Sequence, residues 1–183
     1  MPRTKHSRLI PAVTLSLLLA AAGASAADYP EITSLGSADV VFQQHQDGVA
    51  RYYKRSRTGA ALPNLEIYRY EPEAGESLIA VASKLMVPYS ALASLNRLAH
   101  SEIPDDVDTL LVPNVPGVFI PEKPQNELET LMWDLRRKRL EEARPVAVRL
   151  DGRVQRFRFF PGSDFDRVER LAFLRLLFRR PVR

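Results

Sequence analysis

The sequence predicts an α+β protein, and three stretches carry the prediction. Residues 65–115 run from a β-prone segment through two short apolar-striped helices to a second β-prone segment. Residues 116–183 add a helix, a hairpin signal at Asp151-Gly152 and an apolar last helix. Ahead of both, residues 27–64 hold an arm and an amphipathic helix.

The chain opens with a segment that is not part of the fold. MPRTKHSR carries three basic residues, LIPAVTLSLLLAAAGA is apolar, and Ala24-Ser25-Ala26 supplies small residues for a cleavage site. Residues 1–26 therefore read as a secretory signal peptide. Its apolar run contains Pro11 and is too short to prefer spanning a bilayer. The mature chain is expected to begin near Ala27, in the periplasm or at the cell surface, with no stable membrane anchor. Cysteine is absent, which excludes disulfides, thiolate metal sites and a lipid-modified cysteine.

Pro30 and Gly36 make residues 27–36 a loose arm. Ser37 is expected to cap a helix running to about Arg57, with Val41, Phe42, His45, Val49 and Tyr52 on one side. A lone histidine on such a face reads as a packed one. Lys54, Arg55 and Arg57 suit the negative end of the helix dipole, and residues 58–64 form a linker.

A strand over Glu66–Tyr70 meets a turn at Gly75. Leu78, Val81, Ala82 and Leu85 then recur at helical spacing behind Ser77, whose hydroxyl can cap the first turn. A second short helix follows Pro88, turns Leu92 and Leu95 inward, and stops at Asn96. Leu110 to Val112 forms the closing strand, ended by Pro113.

This strand–helix–helix–strand stretch resembles the LysM domain, the small module with which bacterial wall proteins hold N-acetylglucosamine-containing glycans. Gly75-Glu76-Ser77-Leu78 stands where the family has Gly-Asp-Thr-Leu. Ile79-Ala80, Val87, Leu92, Asn96, Leu98 and Ile103 follow at family spacing, and Leu110 to Pro113 matches its closing Leu-x-Ile-Pro. Asp105-Asp106 replaces a family glycine. The resemblance implies a shallow sugar groove between two loops, here Gly75, Glu76, Ser77 and Leu78 on one side and Ile103, Pro104 and Asp105 on the other. Backbone groups near Gly75 would bond N-acetyl groups. Leu78 and Ile103 would either touch methyl groups and ring faces or serve the core, with core favoured for Leu78. Asn96 is expected to tie the second helix to its loop.

Beyond residue 116, Asn114-Val115-Pro116-Gly117 marks a turn and Val118–Ile120 an extended piece. Asn126 is expected to cap a helix reaching at least Arg139, with Leu128, Leu131, Met132 and Leu135 inward and Trp133 packed laterally. VAVRL-DG-RVQRFRFF reads as a hairpin with a type I′ turn. Ser163 and Asp166 stand at capping-box spacing before the last helix, Phe165 to Phe178. That helix is apolar on most sides, so an exposed leucine- and phenylalanine-rich surface for a protein partner is expected. The tail, with FFPGSDF and ERLAFLRLLFRRPV, resembles the segment preceding the catalytic domain in lysostaphin-type zinc endopeptidases. Their metal ligands lie further along than residue 183, so the chain is expected to represent the amino-terminal part of such an enzyme or a stand-alone relative.

Charge is divided. Residues 27–132 hold 8 basic and 15 acidic side chains, a balance of −7, and residues 133–183 hold 15 and 7, a balance of +8. Three readings fit: the halves attract each other, the basic half faces an anionic wall polymer, or the arginines are simply solvated along the hairpin. No nucleic-acid motif is present. Of the three histidines, His6 leaves with the signal peptide, and neither His45 nor His100 sits in a metal or catalytic pattern. Glu71, Glu73 and Glu76 read as solubilising. The expectation is a non-catalytic protein, without metal or cofactor, that binds peptidoglycan glycan strands; the alternative is an adaptor that recruits a separate wall hydrolase.

Overall fold

A computed structural model of the chain describes residues 29–150 and 152–177. The expected signal segment 1–26, the expected mature start near Ala27, Asp151 and Phe178 lie outside the described residues, as do the side chains of residues 175–177. The fold is mixed α+β.

Two three-stranded sheets form its frame. In the first, β1 (Glu31–Ile32) runs parallel to β2 (Ile67–Tyr70), and β2 pairs antiparallel with β3 (Leu110–Pro113), Ile67 opposite Pro113. β1 corrects the expectation of a loose arm. Two residues are too few to show a period, and the strand exists through its partner: the Arg69 amide donates to the Pro30 carbonyl at 3.0 Å, and Ile32 is buried.

Helix α1 spans Val40–Thr58. Its cap is Asp39 rather than Ser37. One carboxylate oxygen accepts the Phe42 amide at 2.9 Å, while the other accepts the Thr33 amide and hydroxyl and the Ser34 amide. A carboxylate offers two oxygens to the converging donors, where a serine has one. Gly59 ends the helix in the left-handed conformation, φ +66°. His45, Val49 and Tyr52 are buried as the stripe predicts.

Between β2 and β3 lie α2 (Leu78–Leu85) and α3 (Tyr89–Leu95). Leu78, Val81, Ala82, Leu85, Leu92 and Leu95 are all buried. Asn96 ties α3 to β3 rather than to its own loop: its amide donates to the Leu92 and Leu111 carbonyls at 2.9 and 2.8 Å, and its oxygen accepts the Leu111 amide at 2.7 Å. A side chain thus replaces a neighbouring strand along the outer edge of β3.

The second sheet has the order β4 (Gly117–Pro121), β6 (Arg153–Pro161), β5 (Arg144–Leu150), all antiparallel. Leu150 pairs with Arg153 across two residues, and Gly152 has φ +70°, as the Asp-Gly signal requires. Ser94 on α3 accepts the Phe119 amide at 3.0 Å, so α3 closes an edge of each sheet. Gly117 lies so close to β6 that a Cβ would stand 2.4 Å from the Phe159 ring and 2.5 Å from the Phe160 carbonyl oxygen. The apolar core runs without interruption across residues 115 and 116, joining Leu78, Val81 and Leu85 to Val118, Ile120 and Phe160.

Helix α4 (Glu127–Arg136) is capped by Asn126, but it gives way to a 3₁₀ turn over Arg137–Glu142 instead of reaching Arg139. Leu128 and Met132 face the core and Trp133 packs beside it, whereas Leu135 is 41% exposed. The buried neighbour at the end of α4 is Arg136, which pairs with the fully buried Glu169 at 2.8 and 2.5 Å. Helix α5 (Arg167–Leu177) opens on a reciprocal cap between Asp166 and Glu169, not Ser163 and Asp166. The register is decided by that ion pair, which holds Glu169 inward. Phe165, just before the helix, and Phe173 are buried against Tyr89, so one side of the described helix belongs to the core, while Val168 and Leu171 are half exposed. Among the described residues no single helix is long and apolar enough to cross a membrane.

Candidate functional site

The turn before α2 and the loop after α3 meet in space. The Leu78 amide donates to the Ser101 carbonyl at 2.9 Å, and Ser77 and Glu102 form a β-bridge. Together the loops wall an open groove of about 460 Å³, lined by Glu71 to Glu76 on one side and by Ile103, Pro104, Asp105, Val107 and Asp108 on the other.

The residues expected at this site divide by depth. Gly75 and Asp105 are exposed on the groove wall, and Ile103 and Pro104 are half-buried in it, Ile103 also packing against the core. Gly75 has φ +83°, with no atom near its missing Cβ. Glycine is therefore needed for backbone shape, not for space. Ser77 caps α2, its hydroxyl accepting the Ala80 amide at 3.2 Å. Leu78 is fully buried and supports the groove from below.

Glu76 is the knot of the turn. Tyr70 donates to its carboxylate at 2.6 Å, the Glu73 amide at 3.1 Å and Lys84 at 3.0 Å. Burial works against its charge, but these bonds and the Lys84 cation outweigh that penalty and hold its carboxyl below the ordinary range. Burial and the Glu76 carboxylate push the Tyr70 phenol well above its usual value, so it remains a donor. The pair Tyr70–Glu76 spans a strand end and a turn, and no local periodicity marks it.

The wall is acidic, through Glu71, Glu73, Asp105 and Asp108, with exposed backbone around Ala74 and Gly75. Such a surface accepts hydrogen bonds from hydroxyl and amide groups and disfavours anions. Pro72, Val107 and Asp108 also line it, although none stood out in the sequence.

His45 lies elsewhere. It is fully buried, donates from Nε2 to the Pro113 carbonyl at 3.1 Å and meets the Tyr68 ring edge-on. Burial lowers its pKa, and the Pro113 bond opposes this only in part. Among the described residues no group of three or more His, Asp or Glu side chains converges to hold a metal ion. No family model, curated protein or solved structure matches the chain.

Proposed function

We propose that this chain is an exported, non-catalytic module that binds the N-acetylglucosamine-containing glycan strands of bacterial peptidoglycan. The reading rests on the joining of two loops, separated in sequence by α2 and α3, into one groove. These are the loops with which LysM domains hold sugar. The order β2, α2, α3, β3, with the two strands antiparallel, supports the same reading.

In this proposal, backbone groups at Ala74 and Gly75 bond N-acetyl groups, Ile103 and Pro104 meet ring faces, and Asp105 accepts from hydroxyls. Glu76, Ser77 and Leu78 act from beneath by holding the turn. Calorimetry with N-acetylglucosamine oligomers of increasing length tests it. Expected dissociation constants lie between ~10 µM and ~1 mM, or about 4–7 kcal/mol, tightening with length as more of the groove fills. Absence of heat from demonstrably folded protein would overturn the reading.

The second reading is an adaptor for a separate wall hydrolase. Val168 and Leu171, both about half exposed on α5, favour it. It requires that aspartate at both positions release a hydrolase otherwise retained on sacculi.

A further inference from the structure

Register places Pro145 opposite Arg158, Ala147 opposite Arg156, and Arg149 opposite Val154. Residues directly opposite share a face, so each of these pairs couples one arginine with one apolar residue. The same face continues on β4 as Ile120, which lies opposite Arg158 and belongs to the core with Leu128 and Met132 of α4. Beyond that point nothing among the described residues covers it. Pro145, Ala147, Arg149 and Arg156 are exposed, and Val154 is 60% exposed. Arg158 is held at the border by Glu122, 3.0 Å away.

Arg149 and Arg156 stand diagonally on this face, and neither has a carboxylate partner among the described residues. Diagonal neighbours lie within reach of long side chains, so one anionic group can meet both guanidinium groups. Beside them a cavity of about 280 Å³ is lined by Pro121, Glu122, Lys123, Val154, Gln155 and Arg156; Lys123 brings a further cation there, and the Glu122 carboxylate is engaged by Arg158.

We propose that this face of the β5–β6 hairpin docks peripherally on the headgroups of anionic phospholipids. The apolar residues beside the arginines select a bilayer over a soluble polyanion. Arginines alone would grip a polyanion, leaving Val154, Ala147 and Pro145 in water. A headgroup region takes both, phosphate against guanidinium and apolar side chains at the glycerol boundary. The proposal is independent of glycan binding, which uses the other sheet's loops.

The test is co-sedimentation of the exported protein with phosphatidylcholine vesicles and with the same vesicles containing phosphatidylglycerol. Binding to the anionic vesicles alone is expected, fading as salt screens the charges. The double variant Arg149→Glu/Arg156→Glu, checked for folding by circular dichroism, is expected to lose roughly thirtyfold or more in partitioning. Val154→Asp, which retains every arginine, is expected to weaken binding as well. Any amino-terminal affinity for membrane is common to all forms and cancels in the comparison. Equal partitioning onto neutral vesicles would overturn the proposal. So would equal binding by the double variant, or arginine-dependent capture by soluble polyphosphate without vesicle binding. Should the double variant not fold, the comparison of lipid compositions with the unaltered protein decides by itself.

Discussion

Arg97 grips Glu129 at two points, Nε to Oε1 at 2.8 Å and Nη2 to Oε2 at 2.7 Å, with only 9% and 5% of the side chains exposed. The same guanidinium donates to Gln155 on β6 and to the Lys123 carbonyl. Arg97 follows α3 in a left-handed conformation, φ +59°, that aims its side chain out of the groove-bearing region. One residue thereby fastens α4 and the second sheet to the first.

Removing one partner leaves a buried charge without compensation. Arg97→Ala is expected to cost about 3–5 kcal/mol. The double change Arg97→Met/Glu129→Met, which removes both charges, is expected to recover most of that loss. Urea unfolding of the three proteins checks the contrast, and equal loss in the single and double variants would refute it.

Two glycine substitutions should differ in kind. Gly75→Ala meets no atom but must keep φ +83°, so it should cost about 1–2 kcal/mol and disturb the groove wall. Gly117→Ala drives a methyl into the Phe159 ring and the Phe160 carbonyl oxygen, and overpacking of that kind costs about 1–3 kcal/mol or more. Thermal melting should rank Gly117→Ala as the more damaging, while sugar titration should show Gly75→Ala as the more damaging to binding.

Acid should act in two windows. His45 has a lowered pKa in the fold, so the unfolded chain binds its proton first. Its contribution is complete above the unfolded value of about 6.5 and is lost as pH falls below it. Glu76 and Asp39 also have lowered values, Asp39 at about 2, so their contributions hold above the ordinary carboxylate range and fade as pH falls through it. Unfolding free energy should therefore decline from pH 7 to 5 and again below about pH 4.5. Replacing His45 by glutamine should flatten the first decline and leave the second.

The end of the chain offers a direct test of the packing. Phe173 is fully buried and stacks on Tyr89 at 5.3 Å. Phe173→Ala is expected to cost about 3–5 kcal/mol. Deleting residues 163–183 also strips Arg136 of Glu169, so the truncated protein should unfold rather than gain solubility. A truncated chain that melts like the intact one would contradict the burial of α5.

The sequence by itself determined the local elements of this protein. Ser77 before an i, i+3, i+4, i+7 stripe, Asn126 before α4, and Asp151-Gly152 between β-prone runs are signals written within a few residues, because caps, turns and amphipathic faces depend on near neighbours. Gly75 and the Ile103–Asp105 loop were legible as facing positions through family resemblance. Only the tertiary structure decided where distant groups met. β1 exists because Arg69 offers it a backbone partner, Asp39 caps α1 because donors from Thr33 and Ser34 converge on it, and Glu76 faces inward because Tyr70 and Lys84 reach it. The last helix divides for the same reason. Its composition predicts exposed apolar surface, and Val168 and Leu171 are about half exposed, but Arg136 holds Glu169 inside, and Phe165 just before the helix and Phe173 on the same side are buried with it. Burial of a charged residue depends on a partner 33 positions away, which no window of local sequence contains.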